Sequence, residues 1–233
     1  LLDFGRLEEA EKSYRQAILL QSDFIEARYN LSWALLKSGK IKEGLELYEC
    51  RLKRERRKAR HPRNHLIWDG IKSITGKKFF VYEEQGLGDI IQFCRYLLLL
   101  KEKGAEVTFR VQRKMHALLQ TLDSDIVFVE SDPDEKEIDF ECPLMSLPYL
   151  FNTNLDTIPS SKSYLFANDD KVISWEKRLI KPTFKIGICW QGGTFNTGVG
   201  RDFPLSLFED ISKLPHVELI SLHKGDGEKQ IQD

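Results

Sequence analysis

Asp89 closes the stretch EQGLGD, in which Gly86 and Gly88 flank Leu87 directly behind the apolar run FFVY. A carboxylate beside two residues that lack a β-carbon can meet a ligand held close to the backbone, and it can take a proton from an attacking hydroxyl. The same aspartate can instead cap a helix, its oxygens accepting hydrogen bonds from amides of the next turn. Both readings stand on the residues alone. A second constellation lies in QGGTFNTGVGRDF, where Gly192, Gly193, Gly198 and Gly200 follow another apolar run and Arg201 precedes Pro204. Exposed amides, a helix opening at Pro204 and a guanidinium suit a diphosphate, and Lys224 with Gly225 would lie on the same side of the sheet. The alternative is a flexible glycine loop with two solvated cations.

Other chemistries find no residues. Gly86-x-Gly88 is followed by Ile91 where a dinucleotide fingerprint has Gly or Ala, the second strand ends in Val111 and Gln112 without an acid for a ribose, and the Lys-Ser/Thr pair of a P-loop is lacking. His61, His65, His116, His216 and His223 stand at no triad or ligand spacing, and no GxSxG elbow occurs. Cys50, Cys94, Cys142 and Cys189 form no CxxC pair and read as reduced, mostly buried thiols of a cytoplasmic protein. Neither a metal nor a resident cofactor is expected.

These groups need strand-loop-helix units to hold them. Strands are predicted near 79–82, 106–111, 126–129 and 138–142, with helices near 89–103, 113–122 and 145–151, the alternation of a helix-covered parallel sheet. The first of these helices is apolar nearly all round, from Ile90 and Ile91 through Phe93 to Leu100, and should be covered on more than one side. SDPDEKEIDF is predicted as an exposed acidic loop. A polar helix near 169–180, the strand KIGICW, the glycine loop, a helix from about Pro204 to Lys213 and the strand VELISL begin a second unit. Trp190 reads as core rather than as a stacking platform.

Ahead of the sheet the chain repeats itself. A shift of 34 residues superimposes Gly5 on Gly39, Leu7 on Ile41, Glu9 on Glu43, Ala10 on Gly44 and Tyr14 on Tyr48. ARYNLSWALLKSGKIKEGLELY then reads as helix, turn and helix, with Gly44 where the two helices approach. With 41% hydrophobic residues and a net charge of −1 the chain has ample core and no overall polyelectrolyte character. Arg51 to Arg63 carries eight Lys or Arg against Glu55 alone. Without interleaved aromatics this reads as a solvated helix end and linker in preference to a nucleic-acid surface. No apolar run reaches the roughly 18 residues of a membrane span.

In order, the 34-residue repeat, WDG, EQGLGDIIQFCRY, CPLMSLPYLF, KIGICWQGG, RDFPL and ISLHKG resemble bacterial tetratricopeptide-repeat-containing glycosyltransferases with a heptosyltransferase-like catalytic region. The resemblance covers nearly the whole chain and implies an α plus α/β fold. Helical repeats over 1–60 and a basic linker over 61–76 would lead to a Rossmann-like acceptor domain over 77–165. The start of a Rossmann-like donor domain over 166–233 would complete the portion of a two-domain GT-B enzyme seen in this chain. Asp89 falls on the family's base, Glu84, Gln85, Gly86 and Gly88 would line the acceptor side, and Gly192, Gly193, Arg201 and Lys224 would approach the donor diphosphate. Asp202 departs from the family's usual serine. The implied reaction is an inverting, metal-independent sugar transfer from a nucleotide sugar to a protein or glycan hydroxyl, with a protein partner on the repeats. The second domain looks cut short, so the chain alone is expected to be an inactive piece of a longer parent. The competing expectation is a protein-binding adaptor whose Rossmann-like domain has lost its chemistry.

Overall fold

The computed structural model describes residues 5–54, 63–159, 163–192 and 202–231. They form two compact units, Leu1–Asn168 and Asp169–Asp233. The first unit opens with three consecutive helices, α1 (Leu7–Leu20), α2 (Ile25–Lys37) and α3 (Ile41–Tyr48), each packed on the next. Gly5 and Gly39, equivalent under the 34-residue shift, both have positive φ, and Ala10 and Gly44, equivalent likewise, are both buried. A β-carbon on Gly44 would lie 2.8 Å from Leu36 Cγ and 3.1 Å from its amide nitrogen, so α3 meets α2 through a bare backbone. From Glu49 to Lys53 the chain tightens into a 3₁₀ turn. The basic stretch is described only at Arg51–Arg54 and at Arg63.

Trp68, Asp69 and Gly70 then fasten the chain to the sheet domain. The Trp68 ring is buried edge-on against Phe79 and Phe151, with Nε1 donating to the Lys72 carbonyl at 2.9 Å. Asp69 accepts from the amides of Lys72 and Ile71, which hold its carboxyl below the usual range. Gly70 has φ +79°, and a β-carbon there would sit 2.7 Å from the Leu150 carbonyl oxygen. Gly70→Ala is therefore expected to cost about 2–3 kcal/mol, combining left-handed strain with a backbone clash. The check is a lowered urea midpoint at unchanged m-value.

Four parallel strands follow: β1 (Lys78–Tyr82), β2 (Glu106–Arg110), β3 (Val127–Val129) and β4 (Phe140–Pro143), in the order β3-β2-β1-β4. In register, Val81 lies opposite Phe109 and Cys142. Phe79, Val81, Val107 and Phe109 form one core with Ile90, Leu97 and Leu100 of the covering helices. Its burial pushes the Cys94 thiol up to about 12 and Cys142 well above its ordinary value.

The helix expected over 89–103 is two helices, α4 (Leu87–Phe93) and α5 (Tyr96–Glu102). At the break the carbonyls of Ile91 and Gln92 are taken by side chains: the Tyr164 hydroxyl donates to Ile91 at 3.0 Å and Arg95 Nε to Gln92 at 2.7 Å. Side chains inserted into the ladder in this way interrupt a helix. Ile91, expected to be covered, is exposed on α4. Next come α6 (Arg113–Leu119), a 3₁₀ turn over Leu144–Ser146 and the single-turn helix α7 (Leu147–Leu150).

The second unit holds α8 (Asp169–Arg178), the parallel pair β5 (Phe184–Ile188) and β6 (Val217–Ser221), and α9 (Glu209–Ser212). The helix expected from Pro204 begins as a 3₁₀ turn over Leu205–Phe208. Among the described residues no helix is long and apolar enough to cross a membrane.

Candidate functional site

The strand order reverses at β1: β2 and β3 lie on one side of it, β4 on the other. In parallel sheets the ligand crevice lies outside the carboxyl ends of the strands at such a switch point. Two segments meet there, residues 83–86 after β1 and Leu144–Ser146 after β4.

Asp89 is the third residue of α4, and its Oδ2 accepts from the Gly86 amide at 3.0 Å. It closes the first turn of the helix from inside instead of capping it from the front. Neither Gly86 nor Gly88 has a positive φ, so the backbone does not require glycine at either place. A β-carbon on Gly88 would meet nothing within 4 Å, and one on Gly86 only the Asp89 carboxylate at 3.5 Å. The two glycines leave the surface beside Asp89 bare.

Glu84 and Gln85 are engaged with the helical segment. The Arg51 guanidinium, 0% exposed, places Nη2 2.6 Å from Glu84 Oε1 and 2.8 Å from Ser146 Oγ, and Nη1 2.5 Å from Glu49 Oε1. The Ser146 hydroxyl donates to Glu49 Oε2 at 2.7 Å, and the guanidinium carbon lies 4.7 Å from the Tyr48 ring centroid. Gln85 Nε2 donates to the Tyr48 hydroxyl. Burial works against the charge on Arg51, but Glu84 and Glu49 outweigh it and hold the guanidinium protonated more firmly than a free arginine. Glu83, at the head of the loop, has a buried Oε2 with no hydrogen-bond partner among the described residues.

Arg51, Glu49 and Ser146 escape motif reading. A signal for Arg51 does exist, because Gly44, Tyr48 and Arg51 are all buried at i, i+4 and i+7. An arginine on a buried stripe needs acidic partners.

In the second unit Gly192 donates its amide to Asp202 Oδ1 at 2.8 Å, so a carboxylate occupies a donor the sequence reading offers to a phosphate. Gly193 and Arg201 lie outside the described residues, and Lys224 is exposed after β6. Trp190 is buried, stacked on His223 at 4.4 Å, with Nε1 donating to the Gly227 carbonyl. Cys189 is exposed at the end of β5, with Sγ 3.4 Å from His223 Nδ1. A cavity of about 610 Å³ beside them is lined by Ile188, Trp190, Leu205, Phe208, Ser221 and Gln230. Among the described residues no group of three or more His, Cys, Asp or Glu side chains is placed to hold a metal ion.

Helices followed by a parallel sheet with a glycine turn at its switch point define a mixed helical and α/β protein. No family model and no solved structure matches the chain. Protein FlbA of Caulobacter vibrioides (strain ATCC 19089 / CIP 103742 / CB 15) is 24% identical to it over 261 aligned residues, covering 99% of this chain and 43% of that protein. The chain therefore spans less than half the length of this relative, and the likeness runs through both units.

Proposed function

We propose that the chain is part of a glycosyltransferase that moves a sugar from a nucleotide-sugar donor to a hydroxyl acceptor. Its α1–α3 segment is read as tetratricopeptide repeats and its two α/β units as the domains of a GT-B enzyme. The observation that carries the reading is a half-buried carboxylate at a sheet switch point, beside two glycines that put no side chain next to it, where an acceptor hydroxyl held close to the backbone would meet Asp89. Asp89 takes the acceptor proton as the hydroxyl attacks the anomeric carbon, and the nucleoside diphosphate leaves. Gly86 and Gly88 form the acceptor wall, while Glu84 and Gln85 support it from behind. Cations and amides stabilise the charge growing on the leaving group, a role assigned to Gly192, Gly193, Arg201 and Lys224. For Gly192 to serve, Asp202 has to release its amide.

Gly88→Ala separates this role from folding. In the first turn of α4, with open space around the new methyl, the substitution is expected to raise stability by about 0.5–1 kcal/mol. In the full-length protein it is expected to raise the acceptor KM roughly tenfold or more, because the methyl fills the approach to Asp89. An unchanged acceptor KM would remove the glycine turn from the acceptor site.

The adaptor reading draws on one observation: Leu19 and Leu20 at the end of α1 are 79% and 81% exposed, and Trp33 on α2 is 40% exposed. Such apolar surface suits a protein partner. An adaptor would bind through these side chains and show no sugar transfer.

A further inference from the structure

Arg51 bridges two segments that the sheet brings together from distant parts of the sequence. Glu84 follows β1 and Ser146 follows β4, so one guanidinium spans both sides of the switch point. It arrives from the 3₁₀ turn after α3, and so from the helical segment rather than from the sheet. Glu49 completes the set by binding both Arg51 and Ser146, and Gln85 bonds to Tyr48 at the end of α3, directly ahead of the turn. The arrangement is largely withdrawn from water: Arg51 is fully buried, and the Glu84 and Glu49 side chains are 11% and 23% exposed. A guanidinium presents five donors in a fixed plane, and three of its nitrogens are used here toward separate groups. A lysine carries its charge on one rotatable nitrogen and cannot reproduce that fork.

We infer that Arg51 is a positioning residue for the glycine turn, so that the last helical hairpin sets the geometry of the candidate acceptor wall instead of serving as a detachable partner-binding module. Arg51 touches neither Asp89 nor the glycines by any of the bonds above; it acts through Glu84 and Ser146, which fix where the chain leaves β1 and β4. The turn lies two residues beyond Glu84, and Gly86 in turn donates to Asp89. A shift of the helical segment therefore reaches the carboxylate through a short covalent path. By reciprocity, anything that binds the turn and depends on its geometry stabilises the packing of α3 as well.

The consequence for function rests on the proposed transferase reading, but the coupling is measured without any assay of sugar transfer. Full-length protein carrying Arg51→Lys, Glu84→Gln or both is compared with the parent by amide hydrogen exchange. Peptides covering 84–93 report the turn, and those covering 97–110 report α5 and β2 as internal references. The expected result is exchange about tenfold or more faster over 84–93 in each single variant, with the references unchanged. The double variant should add little to either single one, the sign of two groups in one network. A uniform rise across both regions would show a merely structural arginine and overturn the proposal, as would unchanged exchange over 84–93. Should Arg51→Lys fail to fold, Glu84→Gln preserves side-chain shape and carries the same comparison. In a parent that transfers sugar, kcat should fall in these variants while the donor KM holds. A parent without sugar transfer would refute the transferase reading and leave the exchange result to decide the coupling.

Discussion

Asp89→Asn in the full-length protein is expected to lower sugar transfer by about 10²–10⁴-fold while leaving nucleotide-sugar affinity within about twofold, because the substitution removes a proton acceptor and little else. The amide oxygen of an asparagine can still accept from the Gly86 nitrogen, so the closure of the first turn survives. The fold should therefore lose no more than about 1 kcal/mol, the scale of a single hydrogen bond. Turnover followed by release of nucleoside diphosphate, with donor affinity from calorimetry, gives both numbers on the same preparation. Retained turnover in the variant would remove Asp89 from the role of base. Glu83 is the neighbour to examine in that case, since its buried Oε2, without a hydrogen-bond partner among the described residues, belongs to the same loop, and Glu83→Gln would then carry the loss. A parent with no turnover would favour the adaptor.

Arg51→Met is expected to be among the most damaging single changes to the first unit, at about 3–5 kcal/mol. Methionine fills much of the same volume, so the cost is electrostatic: Glu84 and Glu49 lose the cation that stands between them, in surroundings where water reaches them poorly. Set against the 5–15 kcal/mol that ordinarily separates folded from unfolded chains, this is a large fraction. Urea unfolding of the variant checks it. Adding Glu84→Gln to Arg51→Met should recover part of the loss, since one uncompensated charge is then gone. A cost below about 1 kcal/mol would mean that the pair is solvated in solution, as surface ion pairs are.

The sheet was legible because parallel strands advertise themselves locally. FFVY, VTFR and VFV are short apolar or β-branched runs, and the structure places strands within a few residues of each expected position. The glycine turn was equally visible, since its meaning depends on neighbours in sequence. The break between α4 and α5 was not. It depends on Tyr164, which lies 73 residues from the Ile91 carbonyl it takes, and nothing in the run of apolar residues announces it. Arg51 was hidden by its company, the Lys and Arg residues that follow it and make a charge run look like one solvated surface. In the sequence Asp202 stands out only as a departure from a family pattern. Its contact with Gly192 gives that departure a physical content, because an acid at that place already satisfies an amide that a phosphate would need.

The interruption after Phe93 has a mechanical meaning. As part of one continuous helix, α4 would be tied to the core along its whole length by the leucines of α5; as a separate piece it fully buries Ile90 alone, with Phe93 at the margin of the core. One buried isoleucine contributes about 1.5–3 kcal/mol, too little to clamp seven residues. The segment is suspended from its ends: from Glu84 and Gln85 by the helical hairpin in front, and from Tyr164 and Arg95 behind, where Arg95 also reaches the Pro159 carbonyl. A short span hung largely on polar bonds takes its position from those two anchorages as much as from the core, which it meets at Ile90 and, just past its end, at the buried Cys94.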